Sequence, residues 1–484
     1  MSQQDRTSTI VVNHRTIKQV VDWLLVPALF AGMRTRVGAT WKARMLAVTA
    51  LLWACSDLDN LTDRFTQARK ITTRVFRWQL APGETYQGFV KMLRKWHLEL
   101  MLVIPPKVRV LMCEVLSGQW KIAGYVVFAG DGSRVELART RSNEKAYSPK
   151  KKQKKRKGKK KRKNFSQNRG RRGRGAKKKS QSAKSVEKKV NSPQMWLTLL
   201  WHVGTGLPWD WKTGPSDSSE RGHLVEMLPK LPKNSLITAD AGFVGYDFWK
   251  TVLDSGQNLL VRVGGNVTLV KELGWARQHE HTVFLWPDFA AKKKQPPLVL
   301  RLIVVHNGRN PVYLVTNLNK SQLSDRQAAK IYARRWGIEL FFRTFKQTFG
   351  RRKLRSHSAE NVKLEVDWSL LGLWCICLLG QRELAASGEN PTSLSAAAAI
   401  KTLQATLREW RLRPETIHDS LWNLLRVAIL DNYERRSSKT SRDYPRKKKR
   451  TKKMGPPEII RANKQQIQTA KQLKLNQRDF RLTA

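Results

Sequence analysis

The sequence predicts an α/β core held between helical N- and C-terminal regions. Three observations predict it. Between residues 119 and 385, short runs of Val, Ile, Leu and aromatic residues, bounded by Gly, Pro or Asp, alternate with helical patterns. That alternation is what strands feeding helices produce. On either side the apolar segments are longer and carry few turn residues. Finally, the 484 residues include 92 Lys and Arg against 37 Asp and Glu, a net charge of +55. Such an excess argues against an acidic or neutral metabolic enzyme. It points to a polyanionic partner, because each neutralised phosphate releases condensed counterions.

Taken in order, residues 1–118 read as helical, with apolar-rich segments at 17–30 and 40–55. Pro27 is expected to end the first, and Pro82-Gly83 and Pro105-Pro106 are expected breaks. Arg64, Arg69, Lys70, Arg74 and Arg77 suit a DNA-contacting module and equally a plain bundle with a solvated basic face. From residue 119, strands are expected at 125–129, 134–137, 195–203, 235–239, 259–263, 298–305 and 312–315, with helices at 218–228 and 245–253. Residues 386–484 read as helical again (393–412 and 417–428), ending in a Gln- and Lys-rich basic tail. The apolar runs at 45–54 and 368–379 fall short of the ~18 residues that span a bilayer, so they read as core helices and no membrane partner is expected. Cys375 and Cys377 lie in the second run and form no CxxC pair, which favours buried thiols over zinc ligands and suits a reducing compartment. Residues 150–189 hold 22 basic residues and one acid. This insert is expected to be disordered alone, since it cannot bury a core. The run 435–453 is a second basic patch.

The candidate chemistry starts at Ser324, whose pairing with Gln327 is a capping-box pattern opening a helix over 324–349. On that helix Tyr332, Arg335, Glu339 and Lys346 fall within an arc of about 60°. Alone, the stripe reads as well as a surface ion pair worth ~0.3–0.5 kcal/mol. Asp131 and Asp240 each end an apolar strand. Functional groups collect at the carboxyl ends of strands in open sheets, but such an aspartate serves equally as a cap or turn former. Two strand-end aspartates and a helical glutamate in so basic a chain suit a two-metal phosphodiester site. Carboxylate oxygens are hard ligands for Mg²⁺ or Mn²⁺, and two such ions ~4 Å apart activate the attacking oxygen and stabilise the leaving one.

The spacing Tyr332-(2)-Arg335-(3)-Glu339-(6)-Lys346 in YARRWGIELFFRTFK, with Asp131 in FAGDGSR and Asp240 in ITADAGF, resembles a family of DDE-type bacterial insertion-sequence transposases, the Y-R-E-K or "IS-four" group. The resemblance covers roughly residues 119–385. It implies a ribonuclease-H-like catalytic core, with a β-rich insertion at about 257–318 between the second Asp and the Glu. It implies that Asp131, Asp240 and Glu339 hold two Mg²⁺ (or Mn²⁺) ions, and that Tyr332, Arg335 and Lys346 contact DNA phosphates near the cut. Trp336, beside the arc, is a candidate platform for an unpaired base. The implied activity is cut-and-paste transposition on double-stranded DNA, both transposon ends and target. A homodimer would act in the synaptic complex, in the bacterial cytoplasm at the nucleoid. On this reading the N-terminal helices bind the ends. The insert 150–189 departs from the family; clamping DNA, binding RNA and no role are all open. A nuclease of the same fold without transposition, and a decayed non-enzymatic nucleic-acid-binding protein, are the alternatives.

Overall fold

The computed structural model describes residues 17–33, 38–77, 79–149, 193–273, 281–306, 311–412 and 455–473. The basic insert 150–189, the patch 435–453, the expected helix 417–428 and Trp275 lie outside them. The N-terminal region is helical: α1 (Ile17–Leu24), α2 (Ala43–Cys55), α3 (Leu61–Val75) and α4 (Tyr86–Val115). Pro27 ends the first helical segment as expected, opening a short 3₁₀ turn at Pro27–Phe30. Pro105 and Pro106 do not break the chain; both lie inside the 30-residue α4. The carbonyls they leave without donors belong to Met101 and Leu102, and the helix continues past both prolines to Val115.

The core follows as β1 (Val127–Glu136), α5 (Arg141–Tyr147), β2 (Gln194–His202), β3 (Leu207–Pro215), α6 (Glu220–Met227), β4 (Leu236–Ala239), α7 (Tyr246–Asp254) and β5 (Asn258–Val263). Next come β6 (Thr268–Lys271), β7 (Thr282–Leu285), α8 (Asp288–Lys292), β8 (Leu298–Val305) and β9 (Val312–Thr316). The chain closes with α9 (Asp325–Arg334), α10 (Gly337–Arg343), a π-helical turn (Thr344–Thr348), α11 (Ala359–Ala386), α12 (Ala396–Leu412), β10 (Glu458–Arg461) and α13 (Lys464–Gln472).

All the described strands join one sheet in the order β10-β6-β7-β8-β9-β5-β4-β1-β2-β3. Within it, β3-β2-β1-β4-β5 is the ribonuclease-H-like unit: β1 is antiparallel to β2, and β1, β4 and β5 run parallel. Two expected strands, 125–129 and 134–137, are one. The Gly130-Asp131-Gly132 stretch looks like a stop, but pairing with β2 carries the strand straight through it, with Asp131 opposite Leu199. The expected strand at 195–203 is therefore the second of the sheet, and β3 was not anticipated. The β-rich insertion adds β6–β9 to the same sheet through antiparallel pairing of β5 with β9. The C-terminal region is not wholly helical, because β10 pairs parallel with β6 at the sheet edge.

Helix α11 is the central spine. Its apolar run is buried on all sides, with Trp368 and Trp374 fully enclosed. It packs on α2, α4 and α12, so the N-terminal helices share one core with the sheet. Cys375 and Cys377 are buried free thiols, as expected. Arg351 is also buried, and ties the end of the π turn to the C-terminal end of α2 by donating to Ala54 O at 2.5 Å and Ser56 O at 3.1 Å, and to α11 by donating to Ser369 Oγ at 3.0 Å. Among the described residues, no helix is long and apolar enough to cross a membrane.

Candidate active site

The site lies where β4 stops and β1 continues. The two strands run parallel with Ala129 opposite Thr238. Two residues further on each chain are Asp131 and Asp240, at the same level of adjacent strands ~4.8 Å apart and on the same side by the two-residue period. Asp131 still belongs to β1, but β4 has ended at Ala239. Asp240 Oδ1 accepts from Gly242 N at 2.8 Å and so caps a 3₁₀ turn. Asp240 therefore both follows the end of β4 and acts as a cap. Asp131 Oδ1 accepts from Gly132 N at 2.8 Å.

The third carboxylate arrives from the helical segment. The capping box at Ser324 and Gln327 is formed. The expected single helix over 324–349 is not: α9 ends at Arg334, Arg335 and Trp336 make a turn, and the last stretch is a π turn. Gly337, the weakest helix former in the segment, sits at the restart. The arc nonetheless survives in space. The Arg335 guanidinium lies 5.5 Å from the Tyr332 ring centroid and donates to Glu339 Oε1 at 3.0 Å. Lys346 Nζ donates to Ser133 Oγ at 2.5 Å, on the same side of β1 as Asp131. Trp336 is 48% exposed beside them. Of the other tryptophans considered, Trp201, Trp209, Trp249 and Trp286 are buried core residues.

The charges of the group are coupled. Burial pushes the Asp131 carboxyl up to about 6; the Gly132 N–H opposes this, and the charges of Asp240 and Glu339 add to it. Burial lowers the Lys346 ammonium, with Arg352 adding to the effect. Arg335 is 7% exposed and its Nε has no partner among the described residues.

One acidic residue of this neighbourhood escaped the sequence. Glu220 opens α6, which packs on the other face of β1. Its carboxylate lies so close to Gly132 that a β-carbon there would meet Oε1 at 2.6 Å. Burial and the charges of Asp131 and Asp240 push it up to about 7. The only local signal is Ser219 capping a helix with an acid in its first turn, which any helix start shows.

In this conformation the carboxylates are turned onto protein partners: Glu339 onto Arg335, the two aspartates onto backbone N–H groups. Among the described residues, no three His, Cys, Asp or Glu side chains are gathered closely enough to hold a metal ion. What has been brought together is an electrostatic cluster.

The sequence profile of the Transposase DDE domain family matches residues 122–375, just over half of the chain. Transposase InsG for insertion sequence element IS4 of Escherichia coli (strain K12) is 26% identical over 169 residues, covering 33% of this chain and 37% of that protein. The chain thus matches well under half the length of this curated relative. Among solved structures, the piggyBac transposase synaptic complex with hairpin DNA aligns over 88% of this chain and 87% of that one, at 10% identity and a TM-score of 0.35. The family match spans β1 through most of α11, and so takes in both aspartates, the Tyr332–Lys346 signature and Glu220; this chain belongs to the DDE transposase family, and its signature resembles that of the insertion-sequence IS-four group.

Proposed function

We propose that this chain is a DNA transposase that cuts double-stranded DNA at transposon ends and joins the freed ends to target DNA. The observation that carries this reading is that the buried Asp131 carboxyl lies within the electrostatic influence of Asp240 and Glu339, which come from two other elements, in a chain of net charge +55. Two Mg²⁺ or Mn²⁺ ions fit the donor set in chemistry. The groups are hard oxygen donors, and burial and mutual repulsion raise Asp131 and Glu220. Asp131, Asp240 and Glu339 would hold the ions, with Glu220 as an additional acidic neighbour. Divalent ions in such a site supply activation of a water or 3′-hydroxyl oxygen and stabilisation of the leaving oxygen.

The remaining roles follow from the side chains. Taking Glu339 off Arg335 frees a planar guanidinium suited to a bidentate grip on phosphate. Lys346, poised on Ser133 next to Asp131, offers a second cation, and Tyr332 buttresses Arg335 from its other side. Trp336 presents an exposed ring for an unpaired base near the cut. A homodimer would bring two ends together, and the basic N-terminal helices would bind them.

The test is a cleavage and strand-transfer assay with the full-length protein, Mg²⁺, and plasmid DNA carrying the sequences that flank its coding region. Cut and joined products are expected, and Asp131→Asn, Asp240→Asn and Glu339→Gln should each lower both by at least about a hundredfold. Cuts without joined products would replace the transposase reading with a nuclease. DNA binding with no cut products, unchanged in Glu339→Gln, would leave a binding protein only.

A further inference from the structure

The signature segment brings two cations to the site, and their partners differ. Arg335 donates to the Glu339 carboxylate, so its charge is met within the chain. Lys346 makes no ion pair among the described residues. Its Nζ instead donates to the hydroxyl of Ser133, a neutral acceptor, at 2.5 Å. The charge of Lys346 therefore remains available to an anion. Its position is fixed by the π-helical turn 344–348, which Phe349 N closes by donating to Thr344 O at 2.8 Å. Phe345 and Phe349 are buried on either side and anchor the turn. Such turns are rare and are frequent at functional sites. Burial lowers the Lys346 ammonium, so the place disfavours a lone cation and favours one with an anion beside it.

The other half of the pair is Ser133. It lies two residues beyond Asp131 on β1, on the same side of the strand and roughly 7 Å along it. An ammonium has three donors and no acceptor, so Ser133 Oγ accepts from Lys346 and cannot donate to it. The Ser133 hydroxyl hydrogen must be donated elsewhere, and among the described residues it has no acceptor. Accepting from a cation polarises the hydroxyl and makes it a stronger donor. Asp131, Ser133 and Lys346 are each partly exposed, so an incoming group can reach all three. Two unfilled donors, one neutral and one cationic, thus converge beside the carboxylates.

We propose that Ser133 contacts DNA: its hydroxyl donates to a non-bridging oxygen of the phosphate that adjoins the one at Asp131, and Lys346 Nζ bonds the same phosphate with the N–H groups that Ser133 leaves free. A phosphodiester is the ligand that fits, because it offers an anion and more than one acceptor oxygen on a single small group. A sugar hydroxyl or a base edge leaves the charge of the ammonium unmet. The roughly 7 Å step along β1 separates the two phosphates, so the scissile one stays with the carboxylates. This inference rests on the reading that a DNA strand enters at Asp131, Asp240 and Glu339, and it adds a contact that the Tyr332–Lys346 signature does not contain.

The experiment is fluorescence anisotropy with the full-length protein, Ca²⁺ in place of Mg²⁺, and labelled duplexes carrying the sequences that flank its coding region. One duplex has every phosphate native; in the others a neutral methylphosphonate replaces one phosphate at a time near the transposon end. The readout is the ratio of the two affinities, which cancels contacts made elsewhere. At one position the wild type should prefer the native duplex at least about tenfold. There, Ser133→Ala and Lys346→Ala should each shrink the ratio to about threefold or less, the double variant should shrink it no further, and Ser133→Thr should keep it. Ser133→Cys, a close steric match with a weak donor, should behave as Ser133→Ala. A merely structural Ser133 would weaken both duplexes alike and leave the ratio in place. A wild-type ratio near one at every position, or an unchanged ratio in Ser133→Ala, overturns the proposal. Cut and joined products with an unchanged ratio would overturn it and spare the transposase reading; a ratio lost in Ser133→Ala, in a protein that neither cuts nor joins, would do the reverse.

Discussion

At the scale of single residues, two acids of the site, Asp131 and Glu220, are made harder to ionise by burial and by the carboxylates around them. Glu220 shows this most directly: half-buried, pressed on Gly132, and pushed up to about 7 by burial and by its two aspartate neighbours. Such a group is unfavourable in the protein alone and useful when a cation is present. Glu220→Gln is therefore expected to raise the stability of the cation-free protein by about 1 kcal/mol and to lower Mn²⁺ affinity by about tenfold. Thermal melting in EDTA checks the first and calorimetry with Mn²⁺ the second. Unchanged Mn²⁺ affinity would remove Glu220 from the proposed cation site. Arg335 is the counterpart, a buried cation paired to Glu339, and its own Nε has no acceptor among the described residues.

At the scale of elements, α11 sets the position of everything around it. Asp367, on this helix, joins three neighbours: it accepts from Trp211 Nε1 of β3 at 2.8 Å and from Lys363 Nζ at 2.8 Å, and bonds His97 Nε2 of α4 at 3.0 Å. Burial alone would raise its pKa, but the His97 hydrogen bond and the Lys363 charge overcome this and hold the carboxyl below its ordinary value of 3.8. The ionised form is thus favoured by folding. Its contribution is complete above 3.8 and is lost as pH falls through the lower folded value. The urea midpoint should drop over that acid range, and Asp367→Asn should flatten the drop while costing about 3–5 kcal/mol at neutral pH. A pH profile unaltered by the substitution would show that Asp367 does not link the helices to the sheet in this way.

At the scale of the whole molecule, net charge governs association. The surface carries far more cations than the ion pairs consume, so DNA affinity should depend steeply on salt. A loss of about a thousandfold or more is expected between 50 and 200 mM salt if six or more phosphates are contacted. The slope of log affinity against log salt, measured by fluorescence anisotropy on a mixed-sequence duplex, checks this. A flat slope would mean that the charge serves something other than phosphate contact.

The sequence by itself determined the parts whose physics is local. The capping box at Ser324, the buried run of α11, the buried thiols Cys375 and Cys377, the strand before Asp240 and the Y-R-E-K spacing were all legible there. Each rests on neighbours within a few residues or on a repeat of 2 or 3.6. Tertiary structure alone decided the rest. Gly130-Asp131-Gly132 reads as a stop, but β2 supplies hydrogen bonds through it; Pro105-Pro106 reads as a break, but α4 is long and well packed enough to carry both. β10 joins β6 from almost 190 residues away. Glu220 enters the acidic cluster only because Gly132, 88 positions earlier, leaves no side chain in its path. These outcomes depend on which surface finally faces a residue, and burial, pairing and charge between distant segments come into existence only when the chain has folded.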